Sequence, residues 1–338
     1  MNNNQPAAPK PYKLVSFPKK KPELKKPQGQ HKFFADKLHG RLRLYLTVQT
    51  ALHVSTGVVM LGGDVGQKQV PLIKTMVTSD GEELMIPGSS LKGVIRSVYE
   101  AITNSTLGVV DGDYKKKGYY PKSHLPPPSK NNKKDLKLCP AGRVFGAMDW
   151  QGLIQFSDAV CEEVKFDVGF MPSLYGPRET YKGYFDDQKT AKGRKFYYHA
   201  NRTAVSASKQ RGLKVQQAFR SYKFATEIGF SNLSEAELGA FLIALGLDSK
   251  YPFALKLGAA KPVGWGTMTV EIKEALLWEN GMKRYESYDA EPSLLTKERL
   301  NEFTEFARQN GLIELEQLTE LAEILAWPTE REPVEGNY

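Results

Sequence analysis

The sequence predicts an α+β fold whose core runs in the order strand, helix, strand, strand, helix, strand. Two observations support this prediction. Several segments alternate apolar and polar residues with period two, and two segments between them carry helical signals. This order is that of the ferredoxin-like βαββαβ arrangement, an antiparallel sheet with two helices on one face, which RNA-recognition domains also use. A chain of 338 residues can bury such a core and carry large insertions besides.

The first half of the core is marked by one strand and one helix. The first strand is predicted where apolar residues alternate at Leu42, Leu44, Leu46 and Val48. A glycine-rich loop from about Gly57 to Gly66 follows, and then a helix over about residues 90–103. Prolines, asparagines and lysines between about 108 and 140 predict a long insertion. Residues 152–158 predict the second strand, which resumes the core, and residues 160–168 a neighbouring strand.

The second half begins with another insertion, at about 160–215, whose Tyr, Gly, Lys and Arg residues show weak periodicity. Alternation at residues 224–230 predicts the third strand. Ser234 and Glu237 fit a capping box that opens the second helix, and Gly246 ends it. Met268, Val270 and Ile272 predict the last strand, and helical patterns near 295–309 and 313–326 follow.

These elements divide the chain into three parts: a basic N-terminal arm (1–38), a core domain with its insertions (39–275) and a small acidic helical appendage (276–338). The net charge of +9 is distributed unevenly among them. Residues 1–38 hold nine lysines against two acids, and residues 114–137 hold eight lysines against one. Residues 276–338 hold fourteen acids against six basic residues. The two lysine-rich segments are candidate nucleic-acid arms, because lysines gain affinity by releasing counterions from phosphates; the alternative is a pair of solubilising tails.

The composition also indicates where in the cell the protein is expected. No apolar run reaches the roughly 20 residues that a membrane helix needs, and the N-terminus lacks the apolar region of a signal peptide. We therefore expect a cytoplasmic protein without a membrane partner. Cys139 and Cys161 are too few for a disulfide framework and lack zinc-site spacing, so both are expected to be reduced.

Residues 86–96 predict a phosphate-binding helix start. Ser89 or Ser90 can cap the helix, and the N–H groups of its first turn would then face an anion. Lys92 and Arg96 are four residues apart and share one helix face, opposite an apolar stripe. The alternative is an ordinary capped helix with solvated basic residues.

A second candidate binding element is the glycine-rich loop over residues 256–267. Glycines let a backbone approach a phosphate or ribose closely with its N–H groups turned toward it, and Lys261 would add charge. The candidate contacts here are Lys261, Gly264, Trp265 and Gly266. Trp265 can stack on a base or cover the core, and the sequence leaves both open.

Three segments occur in an order that resembles the RAMP superfamily. They are Ile-Pro-Gly-Ser-Ser-Leu-Lys-Gly at 86–93, Leu-Cys-Pro-Ala-Gly-Arg-Val-Phe-Gly at 138–146 followed by Ile-Gln-Phe-Ser-Asp-Ala at 154–159, and Leu-Gly-Ala-Ala-Lys-Pro-Val-Gly-Trp-Gly at 257–266. The chain is similar to a backbone subunit of a type III CRISPR effector complex over about residues 41–273. Gly-Arg-Lys-Phe-Tyr-Tyr-His at 193–199 looks more like type III-D relatives.

The resemblance implies a hand-shaped subunit with a ferredoxin-like palm, and insertions that form fingers and thumb. The implied partners are a CRISPR guide RNA, a target RNA, other RAMP subunits and the large subunit of the complex. Ser89, Ser90, Lys92 and Arg96 would then contact the guide backbone. The excursion at 160–215 is the candidate thumb, and residues 114–137 are the candidate finger.

The resemblance also raises the question of catalysis. Many relatives cleave target RNA with an aspartate in the loop after the first strand, usually with a divalent metal such as Mg²⁺. Here that loop contains Asp64, but Gln69 stands where the resemblance puts the aspartate, and glutamine cannot act as a base. His53 is a candidate general base or a structural residue. Asp158 follows a strand and is expected to cap a turn. Two functions stay open: an RNA-binding scaffold that needs no cofactor, and a metal-dependent ribonuclease that cuts target RNA or processes precursor RNA.

Overall fold

The computed structural model describes residues 11–127, 136–163, 165–174, 183–204, 212–278 and 291–333. Its strands are β1 (Tyr12–Ser16), β2 (Leu38–Val48), β3 (Ser55–Leu61), β4 (Leu72–Met76), β5 (Met85–Ile86), β6 (Gly146–Ala147), β7 (Trp150–Gln151), β8 (Ile154–Phe156), β9 (Ala159–Cys161), β10 (Asp167–Pro172), β11 (Gly193–Tyr197), β12 (Gly212–Gln217), β13 (Lys223–Leu233), β14 (Leu255–Lys256), β15 (Thr267–Leu277) and β16 (Ser293–Leu294). Its α-helices are α1 (Gly88–Ile102), α2 (Gly112–Lys116), α3 (Pro140–Phe145), α4 (Glu235–Ala244), α5 (Lys297–Gln309) and α6 (Leu315–Ile324).

A large antiparallel sheet forms the centre of the molecule. Its strand order is β14-β15-β2-β13-β9-β5, with β8 also paired to β13 and β16 to β15. The alternating apolar residues that predict β2 are all buried, since one face of this strand lies against the core. The strand predicted from 160 to 168 is divided: β9 continues the large sheet, whereas β10 belongs to a second sheet. The α+β class is therefore confirmed.

The two predicted core helices pack against each other and against the sheet. In α1 the apolar stripe that includes Leu91, Ile95 and Ile102 is buried. The capping box of α4 is confirmed, because the Ser234 hydroxyl accepts from the Glu237 N–H and the Glu237 carboxylate accepts from the Ser234 N–H. The helix ends at Ala244, and Gly246 follows with a φ of 79°.

The C-terminal helices belong to the same hydrophobic core. Helix α5 packs on α4 and α6 packs on α1, with Phe303 and Leu321 among their buried residues. Because α5 covers the outer side of α4, every residue of α4 from Leu238 to Ala244 is buried. The two helices of the acidic segment are thus packed onto α4 and α1, and the boundary expected at residue 276 lies inside β15.

A second, smaller sheet has the strand order β10-β12-β4-β3. It joins the segment after β2 to the second insertion through the parallel pairing of β12 with β4. The expectation of a glycine-rich loop from Gly57 to Gly66 is wrong, because β3 and a 3-10 helix (Gly62–Val65) occupy most of it. Strand β3 shows no apolar alternation because Thr56 to Leu61 are exposed on both faces of this edge strand.

The two insertions and the N-terminal segment pack on one another. Strand β1 pairs antiparallel with β11, and Val15 in β1 is fully buried. The rings of Tyr119 and Phe185 lie 5.1 Å apart, and the Ala191 N–H donates to the Tyr119 carbonyl at 2.8 Å. The described part of the basic arm is therefore docked on the fold. Cys139 and Cys161 are buried free thiols.

Candidate nucleic-acid interface

The start of α1 differs from the predicted cap. Helix α1 begins at Gly88 with Pro87 as its N-cap, and no side chain of the cap residue accepts a hydrogen bond. Ser89 and Ser90 lie inside the first turn, so the expectation that one of them caps the helix is wrong. Asp158, 70 residues away in the sequence, caps the helix instead: its carboxylate accepts a hydrogen bond from the Gly88 N–H at 2.7 Å. One N–H of the expected phosphate seat is therefore already bound by a carboxylate of the protein.

Lys92 and Arg96 differ in what they contact. Lys92 is half-buried and forms no ion pair within the described part of the chain, and burial together with the charge of Arg96 lowers its pKa. Arg96 is engaged: its Nε donates to Glu100 Oε1 at 2.8 Å and its Nη1 donates to the Gly146 carbonyl at 3.0 Å. Lys92 is thus available to a ligand, whereas Arg96 is held in the protein.

Glu100 is the centre of a buried ion pair network. It is 6% exposed and also accepts from Arg194 Nη1 at 3.0 Å. Arg194 lies in β11 and donates in addition to the Ser105 carbonyl at 2.6 Å. This network joins the second insertion to α1. It therefore fixes the position of β11 relative to α1, whose start is the first candidate binding element.

The glycine-rich loop connects β14 to β15. Gly258, Gly264 and Gly266 have φ angles of 82°, 91° and 83°, a region that other residues rarely adopt. Close packing also requires them: a Cβ on Gly258 would lie 2.7 Å from the His53 carbonyl oxygen, and one on Gly264 would lie 2.5 Å from the Arg202 carbonyl oxygen.

The loop's hydrogen bonds are mostly internal to the protein. The N–H of Ala259 donates to His53, that of Gly266 to Ala51 and that of Val263 to Ala260. The expectation that these N–H groups face a phosphate is therefore wrong for these residues. Trp265 is 3% exposed and packs with Ala51, Val215 and Val263, so it covers the core instead of presenting a ring for base stacking.

What the loop does present is positive charge. Lys261 lies in a 3-10 helix (Lys261–Val263), Lys256 in β14 and Lys195 in β11; we call these three residues the lysine cluster, because the charge of Lys261 acts on Lys256 and that of Lys195 acts on Lys261. In the part of the chain that the structure describes, no carboxylate forms an ion pair with any of them. Burial lowers the pKa of Lys261, and the charge of Lys195 lowers it further.

Aromatic rings border the lysine cluster. Lys195 Nζ lies 5.2 Å from the centre of the Tyr12 ring and 5.1 Å from that of Tyr197. The two rings meet edge to face at 5.8 Å. Lysines interleaved with tyrosines are typical of surfaces that hold a nucleic-acid backbone and stack on its bases.

The fold brings His53 next to the glycine-rich loop, although some 200 residues separate them. His53 is fully buried, and its Nδ1 lies 2.7 Å from the Gln216 carbonyl oxygen, so Nδ1 carries the proton and donates. Its Nε2 has no partner among the described residues. Burial lowers the pKa of His53, and the charge of Lys74 lowers it further, while the bond to Gln216 acts in the opposite direction. The ring is therefore neutral near pH 7.

Asp64 and Gln69 lie at the other end of the β3-β4 hairpin, both exposed. The seven residues of β3 separate this end from His53 by roughly 20 Å, at about 3.3 Å per residue. The connection is ordered by backbone bonds, including Gln67 N–H to the Gly62 carbonyl and Val70 N–H to Gln67. His53 and Asp64 therefore do not form one site. Over the described ranges, no group of three or more His, Cys, Asp or Glu is placed to hold a metal ion.

Sequence reasoning missed Lys195 and Lys256. Lys195 lies in the Gly-Arg-Lys-Phe-Tyr-Tyr-His segment, whose alternation buries Arg194 and leaves Lys195 exposed. That alternation is a signal that could have identified it. Lys256 carries no local signal, because its role depends on residues brought beside it by the fold.

The sequence and the fold were compared with known proteins. A sequence model of the RAMP superfamily matches residues 45–269 of this chain. No curated protein matches. Among solved structures 184 chains match. One of them comes from the cryo-EM structure of the type III-B Cmr-beta bound to cognate target RNA; it is 14% identical, with a TM-score of 0.38. That match covers 71% of this chain and 61% of the other, so the present chain spans about three fifths of its length.

Across the described ranges, none of the helices combines the length and the apolar character needed to cross a membrane.

Proposed function

Because this chain belongs to the RAMP superfamily, we propose that it is an RNA-binding subunit of a type III CRISPR effector complex. In this proposal it grips the backbone of the guide RNA and presents the target RNA in the cytoplasm. Its other partners are further RAMP subunits and the large subunit of the complex.

The proposed palm is ferredoxin-like. The first core strand is β2, the second is formed by β8 and β9, the third is β13 and the fourth is β15. Across the sheet they lie in the order fourth, first, third, second. Helix α1 follows the first strand and α4 follows the third. This order supports a split βαβ arrangement with both helices packed together against the sheet.

The observation that carries the proposal is the lysine cluster beside the glycine-rich loop. Three lysines without a carboxylate partner among the described residues form a site that an anion completes. The burial of Lys256 and Lys261 strengthens the field of this site because little water screens their charges. Lys92 adds a fourth such charge on α1, which contacts β14. Phosphates occur at regular intervals along any RNA, so contacts of this kind hold the backbone without reading its sequence.

The smaller sheet is the proposed thumb. It combines β10 and β12 of the second insertion with β3 and β4, and it exposes Val58, Val59, Leu61, Leu72 and Leu213. The exposed apolar residues of this sheet are suited to pack against bases or a neighbouring subunit. The lysine-rich segment 114–137 is the proposed finger, of which residues 128–135 lie outside the described residues.

The geometry favours binding over cleavage. A divalent metal would need more ligands than the single exposed carboxylate of Asp64 offers at the end of the hairpin, so the described residues do not fit a metal site there. No cleavage step follows from them. The neutral amide of Gln69 cannot supply the missing charge.

The proposal is tested by RNA binding with two unrelated oligonucleotides over a series of salt concentrations. The double variant Lys92→Ala with Lys261→Ala should weaken binding equally for both RNAs. It should also lower the slope of log affinity against log salt by about 0.7 for each phosphate that is no longer neutralised. The matched control is Lys250→Ala with Lys297→Ala, which removes two exposed lysines elsewhere. Loss of affinity for one RNA alone, or an equal loss in the control, would contradict the proposal.

A further inference from the structure

A buried chain of hydrogen bonds lies beneath the glycine-rich loop. Lys256 Nζ lies 3.4 Å from Thr267 Oγ1, which lies 2.9 Å from His199 Nδ1. His199 Nε2 lies 3.0 Å from the Ala254 carbonyl oxygen. Because a carbonyl only accepts, Nε2 carries the imidazole proton and Nδ1 accepts from the Thr267 hydroxyl. The hydroxyl oxygen then accepts from Lys256, so each bond in the chain has one direction.

Among the described residues, no carboxylate forms an ion pair with Lys256, and none is among the charges that shift its pKa. Lys256 is 7% exposed, and its Nζ has a neutral hydroxyl as its hydrogen-bond partner. The titratable groups that interact with it are Lys261 and the neutral His199; the charge of Lys195 acts on Lys261, and that of Arg331 acts on His199. All the charged groups in this set are cations.

A buried cation without an anion is unstable, so such a group either loses its proton or gains a partner from outside. Burial and the charge of Lys261 lower the pKa of Lys256 to about 7. Burial lowers the pKa of His199 to about 3, so the imidazole stays neutral and does not compete for this proton. At neutral pH in the free protein, Lys256 therefore exchanges its proton readily.

We propose that Lys256 takes up a proton from solvent when RNA binds, because a backbone phosphate held at Lys261 and Lys195 supplies the anion that the buried ammonium lacks. This inference rests on the proposed RNA-binding function and deepens it. Lys256 acts here as a positioning and charge-completing residue; the phosphate contacts themselves belong to Lys261 and Lys195.

The sign of the effect follows from linkage. Bound RNA raises the pKa of Lys256 above its value in the free protein. At a pH between these two pKa values, the complex therefore binds more protons than the free protein does. Affinity is therefore highest below about pH 7 and falls as the pH rises, by up to about tenfold per pH unit.

The experiment is calorimetric titration of the full chain with a short adenosine homopolymer, in buffers that differ in ionisation enthalpy, from about pH 6 to about pH 9. We expect a net uptake of protons in the unmodified protein near pH 7.5 and a fall in affinity with rising pH. Lys256→Met should abolish this uptake and make affinity independent of this group. Lys256→Arg keeps a permanent cation and should bind without the uptake.

Control variants and alternative outcomes separate this inference from the proposed function. Lys250→Met removes an exposed lysine and should leave the uptake unchanged. RNA binding without proton uptake, or uptake that persists in a folded Lys256→Met protein, would overturn the inference and leave the proposed function standing. Failure of the unmodified chain to bind RNA at every pH would overturn both. Circular dichroism of each variant establishes that it is folded.

Discussion

Replacing Glu100 by glutamine tests the buried ion pair network that joins α1 to β11. The carboxylate accepts from Arg96 at 2.8 Å, from Arg194 at 3.0 Å and from the Gly108 N–H at 3.2 Å. Glutamine has nearly the same size and keeps one acceptor oxygen, but it removes the negative charge from between two arginines. The change therefore removes the charge and one hydrogen-bond acceptor while it keeps the volume of the side chain.

The expected magnitude follows from how deeply each group is buried. The Arg194 side chain is 11% exposed and that of Glu100 is 7% exposed. Breaking a buried pair by removing one partner costs about 3–5 kcal/mol, because the remaining charge stays buried without compensation. Each arginine keeps one backbone carbonyl as a partner, but Arg96 is 23% exposed and is better solvated, so most of the cost falls on Arg194. We expect Glu100→Gln to lower the free energy of unfolding by about 3 kcal/mol.

Urea unfolding followed by circular dichroism measures this loss, with the slope of unfolding free energy against urea unchanged. The matched control is Glu227→Gln. Glu227 also contacts two arginines, Arg41 and Arg43, but its side chain is 40% exposed, so we expect a loss below about 1 kcal/mol. The reasoning is refuted if the two variants lose equal stability.

Three further predictions concern the loop, the buried lysine and chemistry. Gly264→Val should lower stability by more than about 2 kcal/mol in urea unfolding, because its φ of 91° and the nearby Arg202 carbonyl exclude a branched side chain; a loss below about 1 kcal/mol would show that the loop can rearrange. The pKa of Lys256 is about 7 in the folded chain and 10.5 in the unfolded chain. Between these two pH values the unfolded state binds more protons, so the free energy of unfolding rises with pH. Lys256→Met should therefore be more stable than the unmodified protein at pH 6, by at most about 5 kcal/mol, with a gap that closes toward pH 10; a constant gap would contradict this. Gln69→Asp should create or strengthen one cut in bound target RNA in the presence of Mg²⁺, and any cut by the unmodified protein should disappear in Asp64→Ala; a cut that persists in that variant would exclude Asp64.

The strands and helices that have one buried face were predictable from the sequence. Alternation in β2 and β13 and the capping box of α4 are local signals, and the structure has those elements within a few residues of the expected bounds. Strand β3 was not predictable in this way, because exposure on both faces leaves no alternation to detect. The placement of α5 on α4 was likewise invisible, since an amphipathic helix does not specify its partner.

The candidate site was predictable only in its parts. The glycine-rich loop and Lys261 stand out in the sequence, and so does the four-residue spacing of Lys92 and Arg96. The cap that Asp158 provides lies 70 residues from Gly88, and Arg194 lies 94 residues from Glu100. Such long-range pairs decide which basic residues form hydrogen bonds or ion pairs within the protein and which remain available to bind a ligand. Sequence spacing alone therefore could not separate Lys92 from Arg96.

The central claim is that RNA lies against the lysine cluster, and lysine footprinting tests it most directly. The full chain is reductively methylated with and without a guide-length RNA, and the modified peptides are quantified by mass spectrometry. The account predicts that Lys92, Lys195 and Lys261 become protected when RNA is bound, while Lys250 and Lys297 react as in the free protein. Protection confined to other lysines, such as Lys115 and Lys116 on the surface of α2, would contradict it.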